Sequence, residues 1–315
     1  MSQFHLSFSV PSQEHKINHK EPILFLGSCF SDEIAVKAKF NGFQVGSNPF
    51  GTVFHPLALG RFLLDCLTEK KSEEFIFQRE DLFFTLDAST TVYATSQNDL
   101  SDKLTELRNN WLEQLKTASH LFVTFGTAWG YQHIESQVLV ANCHKLPSQQ
   151  FVKSLTSSDE ITDVWNLILE KLNVLNPNLT VCFTVSPVRH VKDGFVENNQ
   201  SKAVLIESVR RLQENSKAIY FPSYEIVMDE LRDYRFFKQD RVHPNDEAID
   251  YVWNRFIESF CSNETLDLCK KVKSLKLALS HKSLHPESQE TLMHKKKVEQ
   301  LRNEFKVAYP FIFLD

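Results

Sequence analysis

The sequence predicts a three-layer α/β/α fold built on a mostly parallel, five-stranded sheet. Short apolar runs alternate with amphipathic helical segments along residues 21–260, an order typical of parallel sheets with helices on both faces. Right-handed crossovers bring the carboxyl ends of such strands to one edge of the sheet. We therefore expect the strand ends near residues 27, 46, 126, 186 and 222 to share that edge, where open α/β sheets bind ligands.

The first strand and helix show the pattern most clearly. Residues 23–26 are an unbroken apolar run ending at Gly27, which is typical of a buried parallel strand. Ser31 or Asp32 is expected to cap the helix that follows. The turn places Ser28 beside the helix N-terminus, where unpaired N–H groups and a partial positive charge favour an anion.

The other elements follow from the same periodicities. Residues 68–98 are predicted to be an insertion, with a solvated turn over 70–74 and a β-hairpin formed by the aromatic runs 75–77 and 81–87. The remaining predicted elements are a second strand within 42–48, a helix over 57–67, a helix over 99–118, a third strand over 121–125, a short strand or loop over 138–145, a helix starting at the capping box 157–160, a fourth strand over 179–185, a helix over about 200–215, a fifth strand over 218–222 and a helix capped by Asn245.

The two ends of the chain differ from this core. Residues 1–20 are polar and predict an N-terminal arm or an edge strand. Residues 261–315 contain more Lys and Arg than Asp and Glu, and they predict a helical extension. We expect that extension to pack on the core through Leu266, Leu275 and Leu277.

Composition excludes several classes of protein. The 315 residues are 42% hydrophobic and carry a net charge of −5 with a pI of about 6.2, so nothing suggests a nucleic-acid partner. The sequence contains no apolar stretch of 18 residues, so no membrane span is predicted. The first residues do not have the pattern of a signal peptide. The six cysteines show no CxxC spacing, so we expect reduced thiols in a cytoplasmic protein. Oligomeric state is left open.

Two segments far apart in sequence supply residue types for nucleophilic catalysis. Asp240-Arg-Val-His243 brings an acid and a base three residues apart, just before the helix capped by Asn245. A nucleophile needs a base within hydrogen-bond reach, and the base needs a third group to hold its tautomer. Ser28 completes such a set, although Gly27 and Ser28 taken alone are more typical of an ordinary strand-to-helix turn.

Several motifs resemble the GSCFA family, a branch of the SGNH/GDSL hydrolases, over roughly residues 21–260. The naming motif is Gly27-Ser-Cys-Phe-Ser31, with serine in place of the last alanine. The other matching segments are Asn48-Pro-Phe-Gly51, Phe125-Gly-Thr-Ala-Trp129, Asn142-Cys-His-Lys145, Ser186-Pro-Val-Arg-His190 and Asp240-Arg-Val-His243.

The resemblance implies the three-layer fold and a catalytic triad of Ser28, His243 and Asp240, with neither metal nor cofactor. The sequence departs from the superfamily at two points: Gly27 precedes the serine where the superfamily has aspartate, and Ala128 stands in place of the asparagine that donates to the oxyanion. The groups expected to bind the oxyanion are therefore those of Ser28, Gly46, Asn48, Gly126 and Thr127.

The activity implied is that of a serine esterase or deacylase. It would hydrolyse an ester of a small molecule or glycan, with a short acyl group, through an acyl-enzyme. Two alternatives remain open: a catalytically weak domain that binds a glycan or an acylated partner, and an acyltransferase. Cys29 is an alternative nucleophile, although a thiol at such a position is more often a small buried apolar group.

Other residues near strand ends are candidates for binding. Arg189 and His190 could grip an anionic or sugar substrate, with a structural ion pair as the alternative for Arg189. Trp129 could stack on a sugar ring, although large aromatic residues usually belong to the core. His133, His144 and His190 lie on separate segments without paired spacing, which favours structural hydrogen bonding over metal ligation.

Overall fold

The computed structural model describes residues 6–68, 75–281, 285, 287–312 and 314; the turn predicted over 70–74 lies outside them. The strands are β1 (Ile23–Gly27), β2 (Val45–Ser47), β3 (Ile76–Arg79), β4 (Leu82–Thr85), β5 (His120–Phe125), β6 (Trp129–His133), β7 (Phe151–Leu155), β8 (Thr180–Val185) and β9 (Ile219–Tyr220). The helices are α1 (Cys29–Phe40), α2 (Pro56–Leu67), α3 (Gln97–Thr117), α4 (Ser158–Leu175), α5 (Phe195–Asn215), α6 (Ser223–Glu225, continued by π-helix over Ile226–Leu231), α7 (Asp246–Phe260), α8 (Asn263–Ser280) and α9 (Gln289–Ala308).

The five-stranded parallel sheet predicted from the sequence is confirmed. Its order is β2-β1-β5-β8-β9, and every neighbouring pair is parallel. The chain leaves β1 towards β2 on one side and later returns to add β5 on the other side. The carboxyl ends of β1 and β5 therefore flank the point where the strand order reverses, and such points form ligand crevices in open α/β sheets.

Helices cover both faces of the sheet because β1 is apolar on both sides. Leu24 and Leu26 face a core shared with α2, α3, α4 and α5, whereas Ile23 and Phe25 face a core shared with α1 and α7. Phe25 is only 2% exposed. Burying each side chain of this size contributes about 1.5–3 kcal/mol relative to leaving it in water.

The segment between β5 and α4 contains structure that the sequence did not predict. Strands β6 and β7 pair antiparallel as a separate two-stranded sheet, and residues 138–145 form a loop that joins it only through a bridge at Leu139. Strand β7 carries a largely exposed surface, so it lacks the apolar alternation by which half-buried strands are found.

The cap predicted for the first helix is wrong. The helix begins at Cys29, with Ser28 rather than Ser31 or Asp32 at the N-cap position, and no side chain caps it. The carboxylate of Asp32 instead accepts hydrogen bonds from Asn48 and Thr52 across the chain. The start of the helix moves towards the strand because the turn after Gly27 is tighter than the sequence suggested.

Peripheral elements largely follow expectation. Strands β3 and β4 form the predicted antiparallel hairpin, and α8 and α9 form the C-terminal helical extension. Leu266 packs on the core beside α7. Leu275 packs in a separate small cluster with Val272, Ile312 and Leu314, and Leu277 is exposed, so the core contacts predicted for Leu275 and Leu277 are wrong. All six cysteines are free thiols. Within the described ranges, every helix is too short or too polar to cross a bilayer.

Candidate active site

Gly27 controls the turn that ends β1. Its φ of +131° is rarely adopted by other residues, and a Cβ there would lie 2.2 Å from the carbonyl oxygen of Thr124 in β5. Glycine therefore lets β1 and β5 stay close while the chain turns directly into α1. Residues 27–29 are called the buried turn below.

A cavity of about 520 Å³ opens above this turn, at the carboxyl edge of the sheet. The segments around it come from the ends of β1, β5 and β8 and from the late loop before α7. Its walls are formed by Cys29, Phe54, His55, Thr127, 129–131, 140–143, 188–193, Val242 and His243. The motif residues 129, 142, 189, 190 and 243, scattered over the sequence, thus meet around one space.

Asp240 and His243 form a hydrogen-bonded pair beside the cavity. The Nδ1–H of His243 donates to Oδ2 of Asp240 over 2.7 Å. Oδ1 of the same carboxylate accepts the backbone N–H groups of Val242 and His243. These three bonds, the backbone ones first, lower the pKa of Asp240. With Nδ1 holding the proton, Nε2 of His243 keeps a lone pair that can accept one. Residues 240–243 are called the exposed turn below.

Ser28 is not part of the cavity wall. Its side chain is 0% exposed, and its Oγ has no hydrogen-bond partner within the part of the chain that the structure describes. Its backbone N–H donates to the carbonyl of Thr124, which holds the residue under the end of β5. The next residue, Cys29, is partly exposed and lines the cavity with His243. The structure thus brings His243 and Asp240 together as predicted. It places the predicted serine hydroxyl in the protein interior and not at the cavity wall.

Asn48 braces the buried turn instead of offering its amide to a ligand. Its Oδ1 accepts the N–H of Gly27 over 2.7 Å, and its Nδ2 donates to Asp32 over 2.8 Å. Asn48 itself has a φ of +36° and is 9% exposed. Burial raises the pKa of Asp32 despite the bonds that it accepts.

The predicted oxyanion site needs correction for the backbone donors as well. The N–H groups of Gly126 and Thr127 both donate to the carbonyl of Phe54. Gly46, in the edge strand β2, pairs with Leu24, three residues before the end of β1, and it packs against α3. The N–H of Ser28 is engaged with β5, as described. The N–H groups of Ser28, Gly126 and Thr127 are thus engaged at the strand ends, and Gly46 lies away from the cavity.

Lys202 is a functional candidate that the sequence analysis missed. It is 2% exposed, and its Nζ donates to the carbonyls of Gly126 and Ser186 over 2.7 Å each, at the ends of β5 and β8. Within the described part of the chain no carboxylate lies at ion-pair distance from it. Burial lowers the pKa of Lys202 to about 7, opposed by the charge of nearby Cys29. The sequence does contain a signal for this burial. Lys202 lies on the same side of α5 as the apolar residues 205, 209 and 212.

The three residues predicted to bind substrate all line the cavity. The guanidinium of Arg189 lies 5.1 Å from the ring centroid of Phe237, and no carboxylate in the described ranges pairs with it. The Nε2 of His190 is buried and has no hydrogen-bond partner in the described ranges. Burial, helped by the charge of Lys202, lowers the pKa of His190 to about 4. Trp129 donates its indole N–H to a backbone carbonyl of α5.

His133 and His144, the other two histidines considered as metal ligands, have structural hydrogen bonds. His133 Nδ1 lies 2.9 Å from Ser136 Oγ, and His144 Nε2 lies 2.7 Å from the carbonyl oxygen of Thr85. Among the described residues, no three His, Cys, Asp or Glu side chains are grouped as metal ligands would be.

The chain belongs to the GSCFA family, whose model matches residues 22–256. No functionally curated protein matches it. Among solved structures, it is similar to a putative GDSL-like lipase from Parabacteroides merdae, with 11% identity, a TM-score of 0.41, and coverage of 79% of this chain and 99% of the other. It is also similar to a carbohydrate esterase family 2 enzyme with a carbohydrate-binding domain from Corynascus thermopiles (Myceliophthora fergusii), with 10% identity, a TM-score of 0.37, and coverage of 81% and 68%.

Proposed function

We propose that this protein is an acyl-transfer hydrolase that cleaves an ester at the cavity above the buried turn. The observation that carries the proposal is the 2.7 Å bond between His243 and Asp240 beside a cavity that also reaches the N-terminus of α1. An imidazole oriented by a carboxylate is the base that nucleophilic acyl transfer requires. The helix N-terminus favours the negative charge that develops on the attacked carbonyl.

The reaction follows from these positions. His243 takes a proton from the nucleophile of the buried turn, for which the sequence predicts Ser28, as that atom attacks the ester carbonyl. Asp240 stabilises the imidazolium, which then protonates the departing alkoxide. Water, deprotonated by the same imidazole, releases the acyl group from the enzyme. The first N–H groups of α1 replace the predicted oxyanion donors, because the others are engaged.

The substrate is proposed to be a small ester that carries a negative charge or a sugar. Arg189 lines the cavity without a carboxylate partner in the described ranges, and its guanidinium suits a bidentate contact with a carboxylate or phosphate. Trp129 is less suited to stacking on a sugar, because the ammonium of Lys153 lies 4.8 Å from its ring centroid. The six free thiols support a reducing compartment such as the cytoplasm.

The test is hydrolysis of p-nitrophenyl acetate by the wild type and by Asp240→Asn. The amide that replaces the carboxylate no longer holds the Nδ1–H tautomer of His243, so we expect a loss of about 10³- to 10⁴-fold in kcat. Asp246→Asn is a matched control, because Asp246 is an exposed acid in the first turn of α7, three residues beyond His243.

The two variants separate the outcomes. Equal rates for Asp240→Asn and the wild type would refute the proposed role of the pair. A wild type that hydrolyses no ester in a panel of short-chain substrates, but binds glycans or acylated molecules, would favour the weakly catalytic binding domain. Transfer of the acetyl group to an added sugar hydroxyl, faster than to water, would identify an acyltransferase.

A further inference from the structure

We infer that the thiol of Cys29, and not the hydroxyl of Ser28, is the nucleophile of the proposed reaction. This assignment rests on the proposed function, since it names the atom that attacks at the same cavity. It departs from the triad that the family resemblance implies.

The geometry of the buried turn carries the assignment. Cys29 and His243 line one cavity, whereas Ser28 is 0% exposed and absent from its wall. The hydroxyl of Ser28 has no hydrogen-bond partner among the described residues, so it does not share a proton with the imidazole. Bringing it to the cavity would require the turn to rotate, and two backbone hydrogen bonds oppose this: the N–H of Gly27 donates to Asn48, and the N–H of Ser28 donates to β5.

The surroundings of the Cys29 sulfur suit a nucleophile that develops charge. As the first residue of α1, Cys29 has backbone N–H groups nearby that have no helical partner, its own and that of Phe30. Burial raises the pKa of the thiol, while these two N–H groups lower it and the acids Asp32 and Glu33 raise it further. The resting thiol is therefore protonated and needs a base, which His243 supplies.

A buried cation lies beneath the site. Lys202 is bonded to the carbonyls of Gly126 and Ser186, at the ends of β5 and β8, and these carbonyls carry no full negative charge. Interaction with Cys29 opposes the lowering of the Lys202 pKa by burial. Since an opposite charge favours the ionised form of a group, a negative charge that forms at Cys29 during attack favours the protonated form of Lys202.

Each step balances with an ester and water as the reactants. The S–H proton moves to Nε2 of His243 as the sulfur–carbon bond forms. The tetrahedral intermediate breaks its carbon–oxygen bond, the alkoxide takes the proton from His243, and Cys29 holds the acyl group as a thioester. Water gives its proton to His243 and its oxygen to the carbonyl carbon, and the sulfur leaves and regains the proton.

The first experiment measures the thiol without any turnover. Iodoacetamide alkylation of Cys29 and Cys143 is followed by peptide mass spectrometry in the wild type and in His243→Ala. Cys143 is an internal control, because it is also partly exposed in the cavity wall and burial also raises its pKa. We expect alkylation of Cys29 to slow about tenfold in the variant, since thiolate formation limits it, while Cys143 is unaffected. Equal slowing of both, or of neither, would overturn the assignment.

The second experiment locates the acyl group during p-nitrophenyl acetate turnover. Acid-quenched enzyme should carry acetyl on Cys29 as a thioester that neutral hydroxylamine removes. Cys29→Ala should lose at least about 10³-fold in kcat, as does loss of any nucleophile acting with its base, and Ser28→Ala should keep more than a tenth of it. Cys29→Ser is the control for a folding defect in Cys29→Ala, because a serine side chain is closest in shape to that of cysteine.

The outcomes separate the two proposals. Acetyl found on Ser28, with activity lost in Ser28→Ala and kept in Cys29→Ala, would refute the thiol and leave the hydrolase standing. Absence of turnover in the wild type, with alkylation of Cys29 still dependent on His243, would refute the hydrolase while the coupling of thiol and imidazole held.

Discussion

The two turns that meet at the cavity are stabilised in opposite ways. In the exposed turn, the carboxylate of Asp240 accepts hydrogen bonds from groups two and three residues away, and its side chain is 48% exposed. The buried turn depends on partners from elsewhere in the sequence: Gly27 on the side chain of Asn48, and Ser28 on the carbonyl of Thr124 in β5.

This difference explains which half of the site is visible in the sequence. A local motif such as Asp240-Arg-Val-His243 keeps its geometry wherever the chain places it, so residue types and spacing suffice to predict the acid–base pair. The direction of each side chain in the buried turn follows from how tightly β1 and β5 pack and where α1 begins. Substitution of Gly27 should therefore affect mainly stability, whereas substitution of Asp240 should affect mainly activity.

Gly27→Ala should give the largest loss of stability. The new Cβ would meet the Thr124 carbonyl at 2.2 Å while the backbone keeps a φ of +131°, so we expect a decrease of more than about 3 kcal/mol in the free energy of unfolding. Urea denaturation followed by circular dichroism measures it. Gly194→Ala is the matched control: its φ is +114°, but the clash is with the flexible side chain of Glu197. Similar losses for both variants would contradict the special constraint on the buried turn.

Lys202→Met should change how stability depends on pH. Burial lowers the pKa of Lys202 to about 7 in the folded protein, against about 10.4 in the unfolded chain. Between these values the unfolded state binds more protons, so the wild type gains stability as pH rises, by up to about 1.4 kcal/mol per pH unit. Below pH 7 both states are protonated and the gain stops.

The measurement is the difference in unfolding free energy between the wild type and Lys202→Met from about pH 7 to pH 9. We expect this difference to move in favour of the wild type by about 2 kcal/mol over that range. The exposed Lys192 offers a control, because Lys192→Met removes a cation from the same cavity without removing a buried one. A flat difference for Lys202→Met would show that its amine stays charged throughout.

Arg241→Gly should give the smallest effect on stability, and it should stabilise the protein whereas Gly27→Ala destabilises it. Arg241 holds a φ of +59° within the exposed turn, a conformation that glycine adopts without strain. We expect the free energy of unfolding to rise by a few tenths of a kcal/mol up to about 1 kcal/mol. Thermal unfolding detects this shift, and p-nitrophenyl acetate hydrolysis should be unchanged within about twofold if the bonds of Asp240 persist. A clear loss of stability would mean that the arginine side chain supports the turn.

The sequence alone determined the parallel α/β core, the helix capped by Asn245 and the pairing of Asp240 with His243. Each of these rests on contacts between near neighbours or on apolar periodicity, which are properties of short segments. It did not determine strands β6 and β7, whose residues do not alternate between apolar and polar as those of a half-buried strand do, nor the start of α1.

Only the tertiary structure decided which atom of the buried turn reaches the cavity. Ser28 and Cys29 are adjacent, yet only Cys29 lies in the cavity wall. Which of the two lies there depends on where α1 begins, and that boundary depends on how β1 packs against β5. The structure likewise decided that Lys202 lies buried beneath the site, because its position there requires β5, β8 and α5 to be assembled. A sequence motif names the residues of a turn, whereas packing against distant strands decides the direction of their side chains.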